Sequence, residues 1–203
     1  ELDNDRFRHL ISISMREALR LEAKEAYLFT GYKNPLSELH FGHILAEAAL
    51  LTGYRFDKYL SETKPPSLEA IHLAMELKNP RMFNRGVLEG RIFAEATNLA
   101  RDLVNEPANV IYPESLAETA KKVALKYGFS IEVFGLDKIK RLKMEAFLAV
   151  GKGSKKEPRL ILMSYHGNPH PKANTIGLIG KGLTYDSGGY CLKNCQGMVN
   201  MKN

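Results

Sequence analysis

Arg159-Leu160-Ile161-Leu162-Met163-Ser164-Tyr165 decides the class of the fold. Its apolar centre is shorter than an ordinary helix and is not broken by alternating polar residues. Such a run reads as a strand buried on both faces, the pattern of a sheet with helices packed over it. Outward from it the alternation continues. Ser130 to Phe134 reads as a strand, Asp137 to Arg141 as a short helix, Ala146 to Val150 as a strand, and Thr175 to Ile179 as another. Strands and helices in this order predict a layered α/β domain.

Upstream, Phe7, Leu10, Ile11, Ser14, Met15, Ala18 and Leu21 recur at three- and four-residue steps and predict an inward helical face over residues 5 to 24. Ala26 to Thr30 reads as a short strand. Leu39 to Thr52 reads as a second helix, with Ile44, Leu45, Ala48, Ala49 and Leu51 available for burial. Pro65 and Pro66 mark a loop, and the apolar run Leu68, Ile71, Leu73, Met75 is too short to assign. Arg81 to Val104 contains no proline and keeps Val87, Phe93, Ala94, Ala96, Leu99, Ala100 and Leu103 on a helical period, which suits a helix connecting two domains. Pro107 stops it. Pro113 and Glu114 then open a helix that Gly128 closes. The expected organisation is a partial N-terminal α/β domain over residues 1–80, a connecting helix over 81–104, and a second domain from 105 to 203.

Of 203 residues, 44% are hydrophobic and 26% charged, the balance of a chain that buries a core. No apolar run reaches the roughly 18 to 20 residues of a membrane span, and the acidic start, Glu1-Leu2-Asp3-Asn4-Asp5, does not open a secretory signal. Two cysteines, Cys191 and Cys195, do not make a disulfide scaffold and suit a reducing, cytoplasmic setting. The net charge of +6 is uneven: residues 1–84 hold 11 Lys/Arg against 12 Asp/Glu, and residues 85–203 hold 18 against 11. A basic half can contact nucleic acid. Its lysines, however, are not interleaved with stacking aromatics, and a solvated helix face accounts for Lys121, Lys122 and Lys126.

The chemistry concentrates in Gly180-Lys181-Gly182-Leu183-Thr184-Tyr185-Asp186-Ser187-Gly188-Gly189-Tyr190-Cys191-Leu192-Lys193, directly after the last expected strand. Neither this stretch nor Gly151-Lys152-Gly153-Ser154 has the glycine and Ser/Thr placement of a phosphate loop. His166 and His170 have a four-residue spacing, but Pro169 and Pro171 forbid the helix that would aim them together, and His40 and His43 have no third ligand nearby. Asp186 is a hard oxygen donor for a divalent cation. Beside such a cation one lysine can lose its proton and become a nitrogen ligand, while a second, still charged, stabilises an oxyanion. A glycine-rich turn held by a structural Asp–Lys pair would have the same composition. Both readings remain open on the residues alone.

The wording of the motif closely resembles the metal-binding signature of the leucyl aminopeptidase family of cytosolic di-metal exopeptidases. Ala100-Arg101-Asp102-Leu103-Val104-Asn105-Glu106-Pro107-Ala108-Asn109, Val150-Gly151-Lys152-Gly153-Ser154 and Tyr54-Arg55-Phe56-Asp57-Lys58-Tyr59 resemble family segments in family order. The resemblance implies a catalytic domain with a mixed central sheet, two divalent ions (Zn²⁺, Mn²⁺ or Mg²⁺), peptide substrates and a hexamer. By position, Lys181 and Asp186 correspond to metal ligands, Asp186 being shared by both ions, and Lys193 to the catalytic lysine that polarises the scissile carbonyl. It further implies an aspartate directly after Asn203, then an Asp-x-Glu pair and a bicarbonate-binding arginine. On this expectation the 203 residues are inactive alone. Asn194 departs from the proline or small residue common in the family. A non-catalytic binding or regulatory module that contacts nucleic acid through the basic half is the alternative.

Overall fold

Asp3 starts the first helix, α1 (Asn4–Arg20), by accepting a hydrogen bond from the Arg6 N–H at 2.8 Å. Phe7, Ile11 and Met15, four residues apart, are its buried stripe. Leu10 and Leu21, expected inward, are exposed at 49% and 63%, because Leu10 lies off that stripe and Leu21 is already past the last turn. The structure, a computed structural model, describes residues 3–29, 36–168, 170, 174–188, 190 and 192–201. Thr30, Pro169, Pro171, Gly189 and Cys191 therefore lie outside the described residues. The chain divides into two units, Glu1–Asn105 and Glu106–Asn203.

In the first unit, α1 is followed by β1 (Glu25–Leu28), α2 (Glu38–Thr52), β2 (Ala70–Leu73) and α3 (Pro80–Asn105). The unassigned apolar run thus supplies a strand. β1 and β2 are parallel, paired from Glu25 with Ala70 to Leu28 with Leu73. Their inner residues Ala26, Leu28, Ile71 and Leu73 pack on a core built from Phe7, Ile11, Met15, Phe41, Ile44, Leu45, Ala48 and Phe83. Phe41 is fully buried at its centre, its ring 5.2 Å from Phe7 and 5.5 Å from Phe83.

The contact between α2 and α3 is made through glycines. A Cβ on Gly86 would fall on the Leu39 carbonyl oxygen, one on Gly90 on the His43 carbonyl, and one on Gly42 on the Phe83 carbonyl. Gly86, Gly90 and Ala94 form the buried stripe of α3 at four-residue steps, so backbone meets backbone. This differs from the expected packing face: Phe93 and Leu99 are exposed, because a larger side chain on the contact face would hold the helices apart. α3 also closes the end of α2, which has no basic residue in its own last turn. The Arg101 Nη1 donates to the Leu51 carbonyl at 2.9 Å. Tyr54, just beyond α2, donates to Asp102 at 2.9 Å and accepts from Asn105 at 3.1 Å, which fastens the last turn of α3.

The second unit runs α4 (Pro113–Tyr127), β3 (Ser130–Phe134), α5 (Leu136–Arg141), α6 (Glu145–Gly151), β4 (Leu160–Ser164) and α7 (Cys195–Asn200). Pro113 sits in the first turn of α4, and Gly128 ends it in the left-handed region at φ 74°. β3 and β4 are antiparallel, Ser130 paired with Ser164 and Phe134 with Leu160. Helices with parallel and antiparallel strand pairs make this the expected α/β class.

Three expectations are corrected here. Residues 146–150 lie in α6 and not in a strand: Glu145, Ala146, Leu148 and Ala149 are good helix formers, and a short apolar run cannot distinguish the two forms. Residues 175–179 form no strand, and Ile176, Leu178 and Ile179 are almost fully exposed. Strand geometry requires a hydrogen-bonded neighbour, and among the described residues β3 and β4 pair only with each other. Leu162 and Met163 of β4 are exposed, not buried on two faces, for the same want of a covering layer.

Gly86→Ala tests the glycine contact. In a solvent-facing helix the change would stabilise by about 1 kcal/mol through helix propensity. Here the methyl must displace backbone, at a cost typical of an overfilled core, so denaturant unfolding should show a net loss of about 1–3 kcal/mol. A stabilised variant would mean that the helices are not this close.

Candidate functional site

Asp186, Ser187 and Gly188 form a tight turn in which the Gly188 N–H donates to Asp186 Oδ1 at 2.9 Å. Gly188 adopts φ 77°, where a side chain would be strained. The chain then returns. The Lys193 N–H donates to the Ser187 carbonyl at 3.1 Å, which fixes the lysine backbone against the turn. Its stem passes over Gly188, where an added Cβ would come within 3.2 Å of Lys193 Cγ. At the end of that stem Nζ donates to the Asp186 carbonyl oxygen at 2.9 Å and pairs with Asp186 Oδ2 at 3.0 Å. Asn194 holds the other side, accepting from the Gly197 N–H at 2.8 Å as the N-cap of α7.

The electrostatics follow from these contacts. The Gly188 N–H, more than any other group, holds the Asp186 carboxyl below the usual carboxylate range, and the Lys193 hydrogen bond adds to it. The charges of Lys193 and Lys181 contribute less, against an opposing effect of partial burial. Lys181 is exposed, and among the described residues no hydrogen bond reaches it. The structure thus brings Asp186 and Lys193 into contact, and Lys181 acts on them only through its field.

Asp186 is an ionised hard donor and fits a divalent cation. The described residues contain no group of three His, Cys, Asp or Glu placed to hold a metal ion. Asp186 with a lysine amine fits one edge of a cation site, short of the about four to six donors such ions take. His43 is instead part of a packed surface, 5.3 Å from the Phe93 ring and 3.9 Å from Glu47. His170 follows an Asn168 turn, its N–H donating to Asn168 Oδ1 at 3.0 Å, and Cys195 is an exposed free thiol.

In the basic half several cations already have carboxylate partners. Lys121 pairs with Glu118 at 2.7 Å, Arg159 with Glu157 at 3.0 Å, and Lys138 with Glu132. No helix among the described residues is long and apolar enough to cross a membrane.

Two supporting contacts of the turn have local signatures in the sequence. Asp-x-Gly at 186–188 is the signature of the turn that Gly188 completes, and Asn-x-x-Gly at 194–197 is that of an N-cap. The departure at Asn194 therefore has a local role: it starts α7 one residue after Lys193.

Comparison with known proteins places this geometry in context. The model of the cytosol aminopeptidase family, catalytic domain, matches residues 98–203. A probable cytosol aminopeptidase of Clostridium perfringens is 40% identical over 100% of this chain and 42% of its own length. One of Aquifex aeolicus is 44% identical over 78% of this chain and 31% of its own length. Among solved structures, the bottromycin maturation enzyme BotP in complex with Mn gives a TM-score of 0.79 at 32% identity, over 98% of this chain and 41% of that one. A tomato leucine aminopeptidase mutant gives 0.80 at 27%, over 90% and 37%. The chain spans about two fifths of the length of the relatives it matches in full.

The contacts of Asp186 set a pH dependence. A carboxyl whose pKa is depressed by folding stabilises the fold above the ordinary aspartate range, and that contribution is lost as pH falls through the depressed value. Carbon-detected NMR titration should place the Asp186 midpoint below that of a free aspartate. Lys193→Ala should raise it only part of the way, because the Gly188 N–H remains. A wild-type midpoint at or above the free value would contradict the turn geometry.

Proposed function

The chain belongs to the cytosol aminopeptidase family, and on that premise we propose that it is part of a metal-dependent exopeptidase releasing leucine and similar residues from peptide amino termini. The observation that carries this reading is the turn of residues 186–193, which gathers an ionised aspartate and a lysine inside the segment matched to the family's catalytic domain. In this reading residues 1–80 belong to an N-terminal domain, 81–104 to a connecting helix, and 105–203 to the first part of the catalytic domain.

Lys181 and Asp186 are the residues of this chain that would hold a divalent cation. Zn²⁺, Mn²⁺ or Mg²⁺ would supply Lewis acidity and a more acidic bound water. The chain's own contribution is positional and electrostatic. The Gly188 N–H donates to Asp186 Oδ1 and favours its ionised form. Lys193, anchored at its backbone by Ser187 and followed by the Asn194 cap, holds its ammonium beside Asp186. Directed at a scissile carbonyl, it stabilises the negative charge that develops on oxygen. Hexameric assembly, cytoplasmic location and a bicarbonate proton carrier are parts of this reading that concern the whole protein.

The 203 residues alone should release no leucine from leucyl-peptides in Mn²⁺ or Zn²⁺. A chimera in which they replace the aligned segment of the Clostridium perfringens relative should do so, and lose the activity to a chelator. In that chimera Lys193→Ala should lower kcat about 100- to 1,000-fold with little change in KM. Hydrolysis by the chain alone, or a chimera indifferent to Lys193→Ala, would overturn the assignment.

A further inference from the structure

A cavity of about 450 Å³ lies in the second unit where α4, the end of β3, α5 and the segment before β4 meet. No residue of 181–193 lines it. Four cations, Lys121, Lys138, Arg141 and Arg159, and two carboxylates, Asp137 and Glu157, supply its charge. Most of that charge is already matched. Lys121 pairs with Glu118 at 2.7 Å and Lys138 with Glu132, both carboxylates outside the lining. Arg159 Nη1 donates to Glu157 at 3.0 Å and to the Pro158 carbonyl at 3.1 Å. What remains is one charge of each sign, Asp137 and Arg141, neither with a hydrogen bond or ion pair among the described residues. They stand one turn apart on α5, a spacing at which opposite charges commonly pair, yet they do not pair with each other. Arg159 adds an open donor edge. Its side chain is only 19% exposed and is held through Nη1, so no contact among the described residues occupies Nε and Nη2.

Such a lining selects by charge. A polyanion would meet Asp137 and Glu157, and a polycation would meet Arg141 and Arg159, each with like charges brought together. A zwitterion matches both ends: an ammonium on Asp137, and a carboxylate on Arg141 and the open edge of Arg159, whose planar forks suit a carboxylate. Val133 and Leu136 give an apolar side chain a wall to lie on. We infer that this cavity is a binding site for a small zwitterion with an apolar side chain, the class of a free amino acid. Its volume falls within the about 300–1,000 Å³ of small-molecule sites. Ile139, between Asp137 and Arg141 in sequence, is fully buried and anchors α5, so both receptors are carried on a fixed helix. The ligand class follows from the lining alone. It is also the class of product that the proposed exopeptidase releases, and only that connection rests on the proposed function.

The test is a ¹H–¹⁵N NMR titration of the 203-residue chain with three probes. They are L-leucine, L-leucinamide, which lacks the carboxylate, and 4-methylpentanoate, which lacks the ammonium. L-leucine should shift the Gly135, Asp137 and Arg159 amides saturably, and each analogue should bind about three- to tenfold more weakly. Arg141→Gln should weaken L-leucine about two- to fivefold and leave L-leucinamide unchanged. Asp137→Asn should weaken L-leucine to a similar degree and leave 4-methylpentanoate unchanged. Both positions are exposed and unpaired, so neither substitution should disturb the fold. No saturable shift at the three amides, analogues that bind as tightly as L-leucine, variants that weaken every probe alike, or tighter binding of pyrophosphate would each overturn the inference. Shifts confined to residues 181–193 would also overturn it, while leaving the proposed exopeptidase site intact.

Discussion

Backbone contact between α2 and α3 is the constraint around which the first unit is arranged. Gly42, Gly86 and Gly90 let the two helices meet with no side chain between them, and each has a carbonyl where its Cβ would be. The approach brings Phe41 and Phe83 together, and Phe7 of α1 closes on the same ring. The parallel strands then pack their inner residues on this core. It also puts Arg101 within reach of the Leu51 carbonyl and Tyr54 within reach of Asp102 and Asn105. Tyr54 and the last turn of α3, far apart in sequence, thereby become parts of one local structure.

In the second unit charge takes the place of packing at the site. Ala117, Ala124, Phe134 and Ile139 are its buried apolar residues among those described, while Ile176, Leu178 and Ile179 face solvent. The turn at 186–193 is held by hydrogen bonds and by one ion pair. Of these, the Gly188 N–H acts most strongly on the carboxylate, ahead of either lysine.

The sequence made the helices legible wherever a 3.6-residue period ran long and ended in a recognisable cap, as at Pro113 and Gly128. In residues 181–193 it marked Asp186 and the two lysines as the candidate cluster, without deciding between a cation site and a structural pair. The glycine contact was hidden, since a helical glycine reads as weakness until its neighbour is known. Residues 146–150 misled because five apolar positions carry no period of their own, and Glu145 at the helix start decided the matter. Residues 175–179 have the composition of a strand, but composition does not supply a partner. Where the residues alone left a cation site and a structural Asp–Lys pair as alternatives, the geometry presents the pair.

The central claim is that Asp186 and Lys181 are the residues of this chain that would hold a divalent cation in the proposed exopeptidase. Anomalous diffraction from Mn²⁺-soaked crystals of the chimera tests it most directly. The account predicts a Mn²⁺ peak at about 2.0–2.3 Å from an Asp186 carboxylate oxygen and from Lys181 Nζ. Mn²⁺ bound without Asp186 would contradict it.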